Sequence, residues 1–300
     1  MWTSCSPSFA CGSTGRENVD QMVGAPEIGV GLEEIEIRLL LEGIVRHYGF
    51  DFRDYALASI RRRILNAVQT EQVNSVSGLQ EKVLHDAASM ERLLLGLTVH
   101  VTSMFRDPGF YVAFRQKVVP FLKTYPFVRI WHAGCSSGEE VYSLAILLHE
   151  EGLYDRCRIY ATDLSEAVLR DAKAGMVPLS SMKEYTENYQ KAGGKTSFSE
   201  YYTARYDHAL FRPSLREHIV FSSHNLATDA SFNEFNVVLC RNVMIYFNKA
   251  LQARVHKLLY GSLGRLGVLA LGRKESVQFT PYEACYEELD GPEKIYRKVQ

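Results

Sequence analysis

Apolar residues in the first third of the chain recur at intervals of three and four, the spacing that gathers them on one face of a helix. Leu32, Ile35, Leu39 and Leu40 form one such stripe, and Leu57, Ile60, Ile64 and Val68 form another. Two shorter helices are predicted over 76–85 and 87–97. Asp107-Pro108 then opens a helix through Phe114 and Val118, since proline fits the first helical position, where its missing N–H would be unpaired anyway. The pattern predicts an all-α domain over 31–120, closed by Pro120 and a basic, aromatic connector.

Beyond 120 the chain alternates short apolar runs with helical periods. Strands are predicted over 128–133, 158–162, 236–240 and 268–271, and helices over 138–150, 165–174 and 249–263. Strands alternating with helices of this length imply a parallel sheet in a doubly wound α/β domain, here 121–300. The segments 284–289 and 294–299 flank an Asp-Gly-Pro turn and read as a terminal antiparallel hairpin. Between 176 and 221 the alternation breaks into a Tyr-, Ser- and Thr-rich stretch containing Gly193-Gly194. It is too long for a plain loop and is expected to form an inserted subdomain, a helix with a short antiparallel β element.

Composition removes several function classes. Net charge is −1, so no whole-molecule attraction to nucleic acid is expected. No run approaches the roughly 20 apolar residues needed to span a bilayer, so no membrane insertion is expected. Residues 1–30 show no periodicity and are expected to be a disordered tail; they lack the basic start and apolar core of a signal peptide. The six cysteines have no paired metal spacing, which suggests a reduced, cytoplasmic protein without a bound metal.

Two segments carry the chemistry. In WHAGCSSGEEVYSLA (131–145) a buried strand gives way to a small-residue turn and a helix start. Gly134, Ser136, Ser137 and Gly138 let the backbone approach a ligand. Glu139 and Glu140 would repel a pyrophosphate but suit a ligand with hydroxyls and a positive charge, such as S-adenosylmethionine. Asp163 closes the next strand, where a carboxylate can accept from a ribose diol, and Cys240-Arg241-Asn242 closes a later one. A small-residue turn with an acid at the second strand's end marks nucleotide-type ligands generally, NAD as well as S-adenosylmethionine. Plainer roles exist for each group. The two glutamates suit the helix dipole, Asp163 or Ser165 could cap the next helix, Arg106 could pair with Asp107 on the surface, and Tyr246 could be a packed aromatic.

LTVHVTSMFRDP (97–108), the 131–145 segment, ATDLS (161–165) and CRNVMIYF (240–247) stand in the order and spacing of chemotaxis receptor methyltransferases (CheR), which the chain resembles from about 32 to 300. The resemblance implies a helical domain followed by a Rossmann-like S-adenosylmethionine-binding domain with a small β subdomain. It implies methyl transfer from that cofactor to glutamate side chains of chemoreceptors. Carried over residue by residue, Arg106 and Tyr246 are the catalytic pair, and His100, Thr102, Arg106, Gly134, Glu139, Asp163, Asn225, Leu226 and Arg241 bind the cofactor. The chain departs from the family pattern at His100 (usually Asn), Met104 (Phe), Val141 (Pro) and Arg273-Lys274-Glu275-Ser276.

Arg61, Arg62 and Arg63 follow Ile60 on the second predicted helix, Arg62 pointing away from the core. The resemblance makes this basic helix the docking face for an acidic, glutamate-bearing receptor helix. Two other functions fit the same residues: a non-catalytic S-adenosylmethionine-sensing module, and a methyltransferase acting on a non-receptor carboxylate.

Overall fold

The computed structural model describes residues 31–99 and 101–300; the expected tail at 1–30 and the candidate ligand His100 lie outside the described residues. Four helices come first: α1 (Leu32–Tyr48), α2 (Leu57–Thr70), α3 (Val76–His85) and α4 (Ala87–Leu97). Gly49, at φ 77°, ends α1 and donates its amide to Val45. Ser75 caps α3, and Asp86 caps α4 by accepting from the Ala88 and Ser89 amides. Glu71, just past α2, accepts from Arg92 at 2.6 Å and pairs with Lys82 at 2.7 Å, which ties α2 to α3 and α4.

The core of this unit corrects the predicted stripes. Ile37, Leu40, Leu41 and Ile44 of α1 are buried with Ile60 and Ile64 of α2, whereas Leu32, Ile35, Leu39 and Leu57 are exposed. Both sets on α1 obey helical spacing. The set 37, 40, 41, 44 wins because it fills four successive positions of one face, while 32, 35 and 39 form a thinner line on another.

The helix predicted from Asp107 also belongs elsewhere. It runs as α5 (Pro108–Ala113), a π-helical turn at Phe114–Val118 and α6 (Val119–Leu122). Phe110, Phe114, Val118 and Leu122 are buried with Val128, Ile130 and Leu144 of the following domain. Arg115 on the π turn pairs with Glu150 and Glu151. This helix therefore packs with the α/β layer, and the helical unit ends at α4 rather than near Pro120.

The α/β layer contains β1 (Val128–Ala133), α7 (Glu139–Glu150), β2 (Cys157–Asp163), α8 (Glu166–Ala174), β3 (Met176–Pro178), α9 (Met182–Lys191), β4 (Tyr202–Arg205), β5 (His208–Phe211) and β6 (Ile219–Ser223). It continues with β7 (Phe235–Cys240), α10 (Lys249–Ser262), β8 (Leu263–Leu271), β9 (Tyr286–Asp290) and β10 (Ile295–Lys298). The main sheet has the order β6-β2-β1-β7-β8-β10-β9. Its first five strands are parallel, and the β9–β10 hairpin adds the antiparallel edge. Strand order reverses between β1 and β7, which is where a doubly wound sheet opens a crevice.

Strands β3, β5 and β4 form a separate antiparallel sheet, as the broken alternation implied. With α9 they bury Tyr185, Tyr189, Phe198, Tyr201 and Phe211, which accounts for the tyrosine-rich composition. Gly194 is required there, since a Cβ would fall 2.2 Å from the Tyr189 ring. Residues 219–221, read as part of this insert, belong instead to β6 at the edge of the main sheet.

Phe114→Ala should lower the unfolding free energy by about 3–5 kcal/mol, since its ring is fully buried in the α/β core. Denaturant midpoints measure this; a loss under about 1 kcal/mol would mean that the π turn is peripheral.

Candidate functional site

A cleft lies at the carboxyl ends of β6, β2, β1 and β7, where a doubly wound sheet binds its ligand. Its floor is the β1–α7 turn. The Gly134 amide donates to Thr162 O, and a Cβ at 134 would fall 2.5 Å from Val243, so only glycine lets the two sides approach. The Ser136 amide donates to Asp163 Oδ2 at 2.9 Å, and the Ser165 amide donates to Oδ1 at 3.2 Å. Asp163 thus braces the floor and the start of α8 together, while keeping a place on the cleft wall.

The far wall is built from charge. Arg241, its side chain fully buried, donates to Glu140 Oε1 at 2.8 Å and to Asp107 Oδ2 at 3.0 Å, with its guanidinium 3.9 Å from the Phe110 ring centroid. Burial penalises the Glu140 charge, but the Arg241 guanidinium, together with the neighbouring His132, outweighs it and holds the carboxyl at about 2. Glu275, also buried, accepts amides from Gly272, Asn242, Val243 and Met244 at 2.6–2.9 Å, which locks the turn after β7.

The roof comes from the helical unit and its connector. Arg106 lines the cleft, bonded to Val101 O at 3.1 Å, and its neighbours Phe105 and Asp107 both have left-handed backbone. The surface Arg106–Asp107 pair does not form; Asp107 is taken by Arg241 and, at 3.7 Å, by Arg273. Tyr246 also lines the cleft, with the Arg63 guanidinium 5.9 Å from its ring centroid.

Of the residues singled out from sequence, Thr102, Arg106, Gly134, Asp163, Asn225, Leu226, Arg241 and Tyr246 all line this one cleft. Glu139 does not. Successive helical residues point about 100° apart, so only one glutamate of the pair can face the ligand side, and that one is Glu140. Glu139 instead accepts from Ser137 at 2.7 Å, and burial pushes its carboxyl up. The three arginines of α2 also separate. Arg61 pairs with Glu33, Arg62 is exposed, and Arg63 turns inward to the Gly96 and Thr98 carbonyls and the cleft. Sequence reasoning offered Glu140 only as one of a pair, carried Glu139 forward as the cofactor contact, and missed Glu275 and the inward turn of Arg63; helical phase, applied to the pair, could have chosen Glu140.

Buried polar atoms are almost always paired. Here Ser136 Oγ, both ring nitrogens of His132, His224 Nδ1, Arg241 Nε and Asn242 Oδ1 lack a partner, and all five residues line the cleft. Such a wall, mixing donors and acceptors, fits a ligand bearing hydroxyls, an ammonium and a carboxylate, as S-adenosylmethionine does. Among the described residues no cluster is arranged to hold a metal, and no helix is long and apolar enough to cross a membrane.

Because folding lowers the Glu140 carboxyl from 4.5 to about 2, its contribution to stability is full above about pH 4.5 and is lost as pH falls toward 2. Urea midpoints between pH 5 and 3 should therefore fall more steeply for the wild type than for Glu140→Gln.

Residues 100–289 match the model for the CheR methyltransferase SAM-binding domain, and residues 35–98 match that for the CheR methyltransferase all-alpha domain. Cher3 of Pseudomonas putida is 52% identical, over 88% of this chain and 97% of that protein. A chemotaxis protein methyltransferase of Listeria monocytogenes is 30% identical over 78% of this chain and 87% of its own length. Another, from Pseudomonas aeruginosa, is 28% identical over 74% and 83%. With both of its domains matched and five residues with unpaired polar atoms gathered around one cleft, the chain belongs to the CheR methyltransferase family and is S-adenosylmethionine-dependent.

Proposed function

We propose that this methyltransferase esterifies glutamate side chains of a chemoreceptor-like protein, giving γ-glutamyl methyl esters. The observation that carries this reading is the chemistry of the cleft. Arg63, Arg106 and Tyr246 line it, while its two carboxylates, Glu140 and Asp163, are already committed to Arg241 and to backbone amides. Among the described residues that leaves no uncommitted carboxylate in the cleft to act as a general base. A glutamate acceptor needs none, because with an ordinary pKa near 4.3 it is ionised at neutral pH.

S-adenosylmethionine, when bound, supplies a methyl group activated by its sulfonium. The protein's task is then to hold a carboxylate oxygen in position and keep water out. A planar guanidinium such as Arg106 can grip a carboxylate through two N–H bonds, and the Tyr246 hydroxyl can place the reacting oxygen. Arg63, drawn inward, adds positive charge on the side of the helical unit. The substrate-facing surface of α2 is then carried by Arg62, since Arg61 is engaged by Glu33. An acidic helix presenting its glutamate suits this arrangement better than a small carboxylic acid, for which an exposed arginine on α2 would have no use.

Incubating the protein with tritiated S-adenosylmethionine and receptor-containing membranes of its source cell should label a membrane protein. Mild base should release that label as methanol. Cofactor binding without label transfer would favour a sensor instead, and label confined to small molecules would favour a non-receptor carboxylate. Arg62→Glu should cut receptor labelling severalfold while the S-adenosylhomocysteine dissociation constant stays within about twofold. Equal losses in both measurements would remove Arg62 from the docking surface. Tyr246→Phe should lower the labelling rate at saturating cofactor by about tenfold or more, and an unchanged rate would deny the hydroxyl a role in transfer.

A further inference from the structure

His132 sits on β1 two residues before Gly134, lines the cleft and is only 2% exposed. Neither of its ring nitrogens has a hydrogen-bond partner. The charged groups beside it are Glu140 and, through Glu140, Arg241. Glu140 Oε1 lies 3.6 Å from Nε2, too far for a good hydrogen bond, and the same oxygen already accepts from Arg241 at 2.8 Å. A buried imidazole with no partner at Nδ1 and only a distant carboxylate at Nε2 is costly, and an apolar residue would fill a strand interior without that cost. Its place on a ligand-facing wall points to a partner that arrives with the ligand.

The order of strands says which part of the ligand that is. Across the cleft run β6, followed by Asn225 and Leu226, then β2 ending in Asp163, then β1 with His132 and Gly134, then β7 followed by Arg241. Asp163 is the carboxylate suited to a ribose diol. A base on the β6 side then leaves the amino-acid end over β1 and β7. Groups there are rich in donors: Arg241 and Arg106 suit a carboxylate. Acceptors without a partner there are few: Asn242 Oδ1 just past β7, Ser136 Oγ on the floor and the His132 ring, while Glu140 Oε1 already accepts from Arg241. A neutral imidazole carries one acceptor nitrogen.

We propose that His132 is a positioning and specificity residue of this cleft, its imidazole accepting a hydrogen bond from the α-ammonium of S-adenosylmethionine and so selecting ligands that keep the amino-acid end. The proposal rests on the assignment of the cleft to that cofactor.

Two ligands separate the possibilities in calorimetric titrations of the full chain. S-adenosylhomocysteine carries the amino-acid end; 5′-methylthioadenosine has the same adenosine and a thioether but lacks it. His132→Ala should weaken S-adenosylhomocysteine by about tenfold or more and leave 5′-methylthioadenosine within about twofold. His132→Asn, which restores a neutral acceptor, should recover part of the loss. Equal weakening of both ligands, or no weakening of the first, would overturn the proposal. Should the variants fold poorly, nitrogen-15 spectra of the wild type labelled at histidine decide the matter. Ring-nitrogen signals of one histidine should move with S-adenosylhomocysteine and stay in place with 5′-methylthioadenosine; signals unmoved by the first ligand would refute the contact. A wild type that binds neither ligand would instead strike at the cofactor assignment itself.

Discussion

A single buried guanidinium holds this site in shape. Arg241 follows β7 with no solvent to stabilise its charge, so its position depends on Glu140 at the start of α7 and Asp107 at the start of α5. Burying an ion pair brings little net stability, but removing one partner of such a pair costs about 3–5 kcal/mol, because the other is left uncompensated. The benefit here is geometric. Three segments from separate parts of the chain must meet at one point for either carboxylate to be satisfied, and that point is a wall of the cleft. The Phe110 ring beneath the guanidinium adds a cation–π contact and excludes water from the pair.

The helical unit is joined to this wall through the segment that carries Tyr246. Tyr55 forms an antiparallel bridge with Phe247, their rings 4.9 Å apart, and the Ala56 amide donates to Tyr246 O. Asp54 reaches further, accepting from Asn248 and pairing with Arg254 on α10. The loop entering α2 is therefore fixed to the same eight-residue motif that follows β7. The exposed face of α2 and a hydroxyl in the cleft are thereby held at a set separation by hydrogen bonds between domains.

Much of this was legible in the sequence because periodicity and strand-end chemistry are local signals. The alternation after 120 gave the parallel sheet, and the positions of Gly134, Asp163 and Arg241 at strand ends placed them on one crevice. What escaped depended on phase or on distant partners. Ile37 and Ile35 are both compatible with helical spacing, and only packing against α2 decides that Ile37 is buried. The helix from Pro108 looks like its helical neighbours, yet Phe114 and Leu122 find their partners in β1 and α7. Glu275 resembles any surface acid beside Arg273 and Lys274; its function is set by four amides, three of them from residues about thirty positions earlier. The same limit applies to Arg63, which shares a basic run with Arg61 and Arg62 and is separated from them only by the fold.

The strained backbone shows why these carboxylates and hydroxyls stand where they do. Phe105, Asp107, Ser136 and Asn242 all adopt left-handed backbone without being glycine, and all four lie in the segments that build the cleft. Residues held in such conformations cost on the order of 1–3 kcal/mol each and persist only where the surroundings over-determine them. Each is over-determined here by a side chain from elsewhere. The Phe105 amide donates to Ser143 Oγ at 2.8 Å, the Ser136 amide to Asp163 and the Asn242 amide to Glu275. Asp107 is held through its own carboxylate by Arg241. Groups that read as candidate chemistry in the sequence thus have a second task, keeping bent the turns that aim Arg106, the Gly134 floor and the wall after β7. Asp163 braces two such turns while lining the cleft, and Glu275 braces one without lining it. An acid at a strand end is therefore weak grounds for ligand contact until its oxygens have been accounted for; the His132 ring is stronger grounds, because beyond a long 3.6 Å approach of Nε2 to Glu140 its nitrogens have no partner in the fold.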